Sequence, residues 1–234
     1  MNAFRRALFA PSRRLQSDQS GVTLAELIVT IALMAMLLTL IMTIFVTFTR
    51  SFAEDRSAST NTAAATVAMN ELTRVIRAGT ENPVTTSATN QPVFSYASAE
   101  RVKLQAYLDT EAASPKPVQV QFVVNSDRTL VETRWDAKPL GSGYFSFKTT
   151  VASERTIVRQ IATGSTPVFS FYNAKNELIP LTAGKVPDNL LPNIAAVKIS
   201  MTVQTDPTGK AQTATLENTV GIPNLGLSRI GSNK

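Results

Sequence analysis

Twenty-two consecutive residues, Leu27 to Phe48 (LIVTIALMAMLLTLIMTIFVTF), carry no charge, no Gly and no Pro. A helix needs roughly 20 apolar residues to cross the hydrocarbon core of a bilayer, so this segment is long enough to span. It is longer than the apolar region of an ordinary secretory signal, and no small-residue cleavage site closes it. Thr is its only polar residue type, and a Thr hydroxyl can bond back to a carbonyl of its own helix. The polar run that follows, TRSFAEDRSAS, ends the stretch.

Charge orients the span. Arg5, Arg6, Arg13 and Arg14 precede it, offset by Asp18, whereas Arg50 and Arg56 follow it mixed with Glu54 and Asp55. The positive-inside rule places the N-terminus in the cytoplasm and everything after about residue 50 outside the cytoplasmic membrane. The formal charge of +6 over 234 residues thus reads as membrane topology. Past the span the basic residues are scattered without a run, and no clear nucleic-acid site stands out. The chain has neither Cys nor His. That excludes a disulfide framework, a thiolate nucleophile, a Cys/His zinc site and a Ser-His-Asp triad. No cofactor is implied, and the outer part must hold together by core packing.

The junction ahead of the span reads Ser20-Gly21-Val22-Thr23-Leu24-Ala25-Glu26-Leu27-Ile28. A carboxylate deep in a span costs about 2.5–3.5 kcal/mol on insertion scales, less near the interface. Two readings of Glu26 follow from the residues. It is an interfacial carboxylate tolerated through its depth and the positive end of the helix dipole. Alternatively, cleavage after Gly21 frees a cationic amine on Val22, one helical turn from Glu26. That amine would pair with it in the same chain or in a neighbour offset along a filament, and so set the order of packing.

The segment Gly21-Val22-Thr23-Leu24-Ala25-Glu26-Leu27 resembles the junction of type IV prepilins and type II secretion prepseudopilins. Their pattern is Gly, an apolar residue, Thr, Leu, an apolar residue, then Glu, all ahead of a long apolar helix. Val22 stands where Phe or Met is commoner, and Ala25 where Ile is usual. The resemblance implies that Gly21 precedes a prepilin-peptidase cut, that Val22 becomes an N-methylated mature N-terminus, and that Glu26 serves assembly. It implies as partners the prepilin peptidase, other pilin or pseudopilin subunits met through the N-terminal helix, an inner-membrane assembly platform, and membrane lipid before assembly. The location implied is the inner membrane, crossed once, and then a pilus or pseudopilus.

Helical character continues beyond the membrane. Phe45, Phe48 and Phe52, then Ala65, Met69, Leu72 and Ile76, keep helical spacing. Gly79 followed by Pro83 forms a stop. The Ser/Thr/Ala-rich stretch 57–66 has weak propensity and is also readable as a linker. After Gly79 the period changes to two. Strands are expected at Arg101–Leu108, Val118–Asn125, Leu130–Trp135, Thr156–Gln160, Val168–Asn173, Ala195–Thr205 and Ala214–Val220. Turn signals lie at Asn125-Ser126-Asp127, Asn173–Asn176 and Asp206-Pro207-Thr208-Gly209. The expected class is α+β: a long N-terminal helix, transmembrane in its first half, packed on an antiparallel β-sheet domain. The expected division is a basic leader over 1–21, a transmembrane and assembly helix over 22–48, an extracytoplasmic amphipathic helix over 49–79, and a β-rich domain over 80–234.

Further along, Asn70-Glu71-Leu72-Thr73-Arg74-Val75-Ile76-Arg77-Ala78 and the run Ile194–Val203 resemble segments of J-type minor pseudopilins. Many major pilins have a mid-helix Pro and a C-terminal disulfide loop. This chain has neither, which favours a minor subunit, a pseudopilin, or a lineage that does without the disulfide. Asp127, Glu132, Asp136 and Glu154 lack the spacing of a calcium loop and read as solvated carboxylates. Trp135 reads as packing at a strand end, and Gly141-Ser142-Gly143 as a turn and not a phosphate loop. Arg74 and Arg77 suit the negative end of a helix or surface pairing. The resulting expectation is a filament subunit and not an enzyme. The competing reading is a membrane-tethered binding protein or enzyme on an uncleaved anchor.

Overall fold

The computed structural model describes residues 21–84, 90–109, 115–163, 167–204 and 213–225. The arginines of the expected leader and the expected turn at Asp206–Gly209 lie outside them. The chain divides into two units, residues 1–50 and 51–234.

Helix α1 runs Leu24–Arg77 and is the one helix among the described residues long and apolar enough to cross a membrane. In the first unit its side chains are all exposed within the chain. The threonines there direct their hydroxyls onto their own helix: Thr39 Oγ1 donates to the Ala35 carbonyl at 2.7 Å, Thr43 to Thr39 and Thr47 to Thr43 at 2.8 Å. Each hydroxyl proton therefore has an internal acceptor, as lipid surroundings demand. The stretch 57–66, also readable as a linker, is helical throughout.

In the second unit α1 turns Ala65, Ala68, Met69, Leu72, Val75 and Ile76 into the core, a stripe at three- and four-residue intervals. The helix stops as expected. Ala78 N donates to the Arg74 carbonyl at 3.2 Å and Gly79 N to the Ile76 carbonyl at 3.0 Å. A side chain at Gly79 would meet the Ile76 carbonyl at 2.8 Å and Val93 Cγ1 at 2.7 Å, so the close approach itself calls for glycine.

Two antiparallel sheets complete the unit. The first comprises β1 (Phe94–Ala97), β2 (Arg101–Ala106), β3 (Val118–Val124), β4 (Leu130–Gly141) and β5 (Tyr144–Phe147) in that order, with β6 (Ser153–Val158) also paired to β4. Between β5 and β6, Lys148 N and Ala152 N still reach β4 carbonyls, so the two are segments of one returning strand. The second sheet has the order β7 (Phe169–Tyr172), β8 (Ala196–Val203), β9 (Ala214–Gly221). Period-two alternation explains both. Val102 and Leu104, Val120 and Phe122, and Val197, Ile199, Met201 and Val203 are buried while their sequence neighbours face the other side. Both sheets and the second half of α1 share one core. Phe94 and Phe171 meet edge to face at 6.2 Å, joining a strand of each sheet.

Seven strands fall on the expected segments with shifted ends. The departures have local causes. β4 continues past Trp135 to Gly141, carrying Pro139 beside a register shift against β5. Its hairpin turns on Ser142 and Gly143, both at positive φ (52° and 80°), as the primed two-residue turns require. β1 and β5 are four residues each, too short for period two to declare them.

Candidate assembly site at the N-terminal junction

Thr23 caps α1. Its Oγ1 accepts the backbone N–H of Glu26 at 3.2 Å, and its carbonyl receives the first intrahelical bond, from Leu27 N at 3.1 Å. A Thr with Glu three residues later is the sequence of a capping box, and the structure forms the half made by the Thr side chain. The junction pattern therefore has a local purpose: it fixes where the helix begins. Glu26 occupies the first turn, where the N-terminal partial charge favours a carboxylate.

Gly21, Val22 and Glu26 are all exposed. No hydrogen bond or ion pair holds the Glu26 carboxylate among the described residues. A Cβ built on Gly21 meets nothing within 4 Å. Among the described residues nothing places a steric demand for glycine at 21.

Most of the other residues singled out from the sequence have structural contacts. Asp127 Oδ1 accepts from Thr129 Oγ1 at 2.7 Å and Thr129 N at 3.1 Å, and these bonds hold its carboxyl below the usual range. Asp136 pairs with Lys148 at 3.0 Å, while Glu154 is exposed on β6. No group of three metal-ligating side chains occurs among the described residues. Trp135 lies within β4, not at its end, and the Lys103 ammonium sits 4.3 Å from its ring centroid. Burial, and then the charge of Arg101, lowers the pKa of that ammonium. The Gly141-Ser142-Gly143 stretch is a hairpin turn.

Glu132 is the clear correction. It is not a solvated carboxylate, for its side chain is fully buried. Arg134 Nε donates to its Oε1, and Arg155 Nε to its Oε2 at 2.6 Å. The same two guanidinium groups reach α1, where Glu71 Oε1 accepts from Arg155 Nη2 at 2.6 Å and Arg134 Nη2 at 3.0 Å. Arg74 adds a fork onto Glu71, at 2.6 and 3.0 Å. Burial would raise the Glu71 carboxyl, but the Arg74 hydrogen bond and the charges of Arg74, Arg155 and Arg134 outweigh it and leave it below the usual range. The sequence did carry a signal for this ring. Leu130, Glu132 and Arg134 share one face of a strand, and Leu130 marks that face as the inner one.

Residues 16–42 match the family model described as the prokaryotic N-terminal methylation motif. The match covers the residues just ahead of the junction, the junction itself and the first part of the apolar helix. Motif and helix together support a protein of the type IV prepilin or pseudopilin type. The motif implies processing by a peptidase and assembly with other subunits, and with the apolar helix it supports anchoring in the inner membrane. No curated protein matches the chain.

Proposed function

We propose that this protein is a minor pilin or minor pseudopilin, cut after Gly21, N-methylated on Val22, and built into a type IV pilus or type II secretion pseudopilus through its N-terminal helix. In this reading the peptidase and the inner-membrane assembly platform act on the junction, and lipid surrounds the span until assembly. Glu26 pairs with the amine of Val22, in its own chain or in the neighbour below. The observation that carries the reading is the coincidence of an exposed first-turn carboxylate, without a partner among the described residues, with a methylation motif at the start of an unbroken apolar helix. A carboxylate moved into a packed helical bundle needs a cation beside it, and the new N-terminus is the cation nearest in sequence. The J-type subclass is favoured by the resemblance of the segments 70–78 and 194–203.

The test is Glu26→Val in cells that assemble the filament. The variant should be cleaved normally yet recovered in sheared filaments at a small fraction of the wild-type level. Wild-type incorporation would remove the role given to Glu26, and an uncleaved product in both strains would favour a tethered protein on a signal anchor.

A further inference from the structure

The ring of charges between α1 and the first sheet has a shape that stability alone does not explain. Two carboxylates and two guanidinium groups alternate, Glu71–Arg134–Glu132–Arg155, so that each arginine touches both acids. Three elements contribute: α1 gives Glu71 and Arg74, β4 gives Glu132 and Arg134, and β6 gives Arg155. The next charges along β4 and its partner strand, Asp136 and Lys148, pair with one another. Replacing a buried ionic cluster by well-packed apolar residues is often neutral or stabilising, whereas removing one member is costly. What an ionic cluster supplies that apolar packing does not is selectivity among alternatives.

The composition of this interface leaves room for such alternatives. The stripe that α1 presents includes Ala65, Ala68 and Met69, small or adaptable side chains that a shifted helix could also bury. Cross-strand pairing fixes Glu132 beside Phe122 and Arg134 beside Val120. A shift of α1 by one turn, about 5.4 Å along its axis, would carry Glu71 away from Arg134 and Arg155 and leave Glu132 with the cations alone.

We propose that the Glu71–Arg134–Glu132–Arg155 ring is a register latch, holding the second half of α1 at one axial and rotational setting on β4 and β6. The inference concerns the head itself and does not rest on the filament reading. It has an acid signature. A carboxylate titrating below its unfolded value contributes stability above the unfolded pKa and loses it as pH falls through the folded one. Glu71 is such a group, so its contribution to the latch is present at neutral pH and is lost as pH falls through its lowered pKa.

The chain has no cysteine, so one introduced pair gives a clean readout of register. Thr73 on α1 and Asn218 on β9 touch side chain to side chain at 3.1 Å, which places a Thr73→Cys/Asn218→Cys pair across the interface and outside the ring. With the full chain in detergent micelles, oxidative cross-linking of this pair should be fast at pH 7. Glu71→Gln should slow it about tenfold, with circular dichroism unchanged. For the unfolding equilibrium, a double-mutant cycle of Glu71→Gln with Arg155→Met should show coupling of roughly fivefold or more at pH 7 that shrinks as the pH is lowered below the ordinary carboxylate range. Glu71→Gln with Arg134→Met serves as a second cycle should Arg155→Met fail to fold. Equal cross-linking rates with and without Glu71, or additive effects at pH 7, would overturn the proposal.

Discussion

Replacing Gly79 by Ala tests the joint where helix becomes sheet. Gly79 follows the last turn of α1, donates to the Ile76 carbonyl at 3.0 Å, and forms a bridge with Ala106 of β2. The added methyl would lie 2.7 Å from Val93 Cγ1 and 2.8 Å from the Ile76 carbonyl. Val93 is itself buried, and the carbonyl belongs to the helix backbone, so neither can withdraw freely. Overpacking of this sort costs about 1–3 kcal/mol. Against it stands about 0.4–1 kcal/mol from the reduced freedom of the unfolded chain. A net loss of about 1–2 kcal/mol remains, which for a unit of this size lowers Tm by roughly 2–8 °C. Gly221→Ala is the control, because a methyl there meets nothing within 4 Å and should leave the midpoint unchanged or slightly raised. Thermal unfolding of the full chain in detergent, followed by the fluorescence of the single Trp135, reads both. A Gly79→Ala midpoint at or above the wild-type value would refute the close-approach argument.

Arg128→Ala should cost about 2 kcal/mol in urea unfolding. Its Nε and Nη2 donate to the Ile161 and Ala162 carbonyls at 3.1 and 3.2 Å, stapling the β3–β4 turn to the segment that leaves β6, and Arg128→Lys should recover only part of the loss. Gly21→Leu should leave the thermal midpoint of the purified protein unchanged, since no described residue lies within 4 Å of a Cβ at that position, but should yield a product that keeps its leader on a denaturing gel. A product of mature size from that variant would count against the assignment of the cut.

The parts of the fold that were legible in the sequence are those governed by one periodicity. The core stripe from Ala65 to Ile76 and strands such as Val118–Val124 each bury a regular pattern and so declare themselves, while the apolar run declares itself by length and composition alone. The helix stop at Gly79 was legible because two backbone-specific residues lie close together. β1 and β5 were not, because four residues give a period-two pattern no room. Trp135 was misplaced because Pro139 and Gly141 look like strand breakers, although a bulge and a primed hairpin accommodate both. Glu132 was misread for a different reason. A charged residue at an inward position is tolerable only with partners from afar, and Glu71 lies 61 positions earlier in the chain. Pattern reading registers the violation without naming its remedy. At the junction the motif itself was legible, and what the structure adds is the cap formed by Thr23, which accounts locally for one residue of that pattern.

The central claim is that a new N-terminus is made beside Glu26. Mass spectrometry of the intact protein and of its N-terminal peptide, from cells that express the peptidase, tests it most directly. The account predicts a chain that begins at Val22 and carries one added methyl group on its α-amine. A chain that still contains Arg5, Arg6, Arg13 and Arg14 would contradict it.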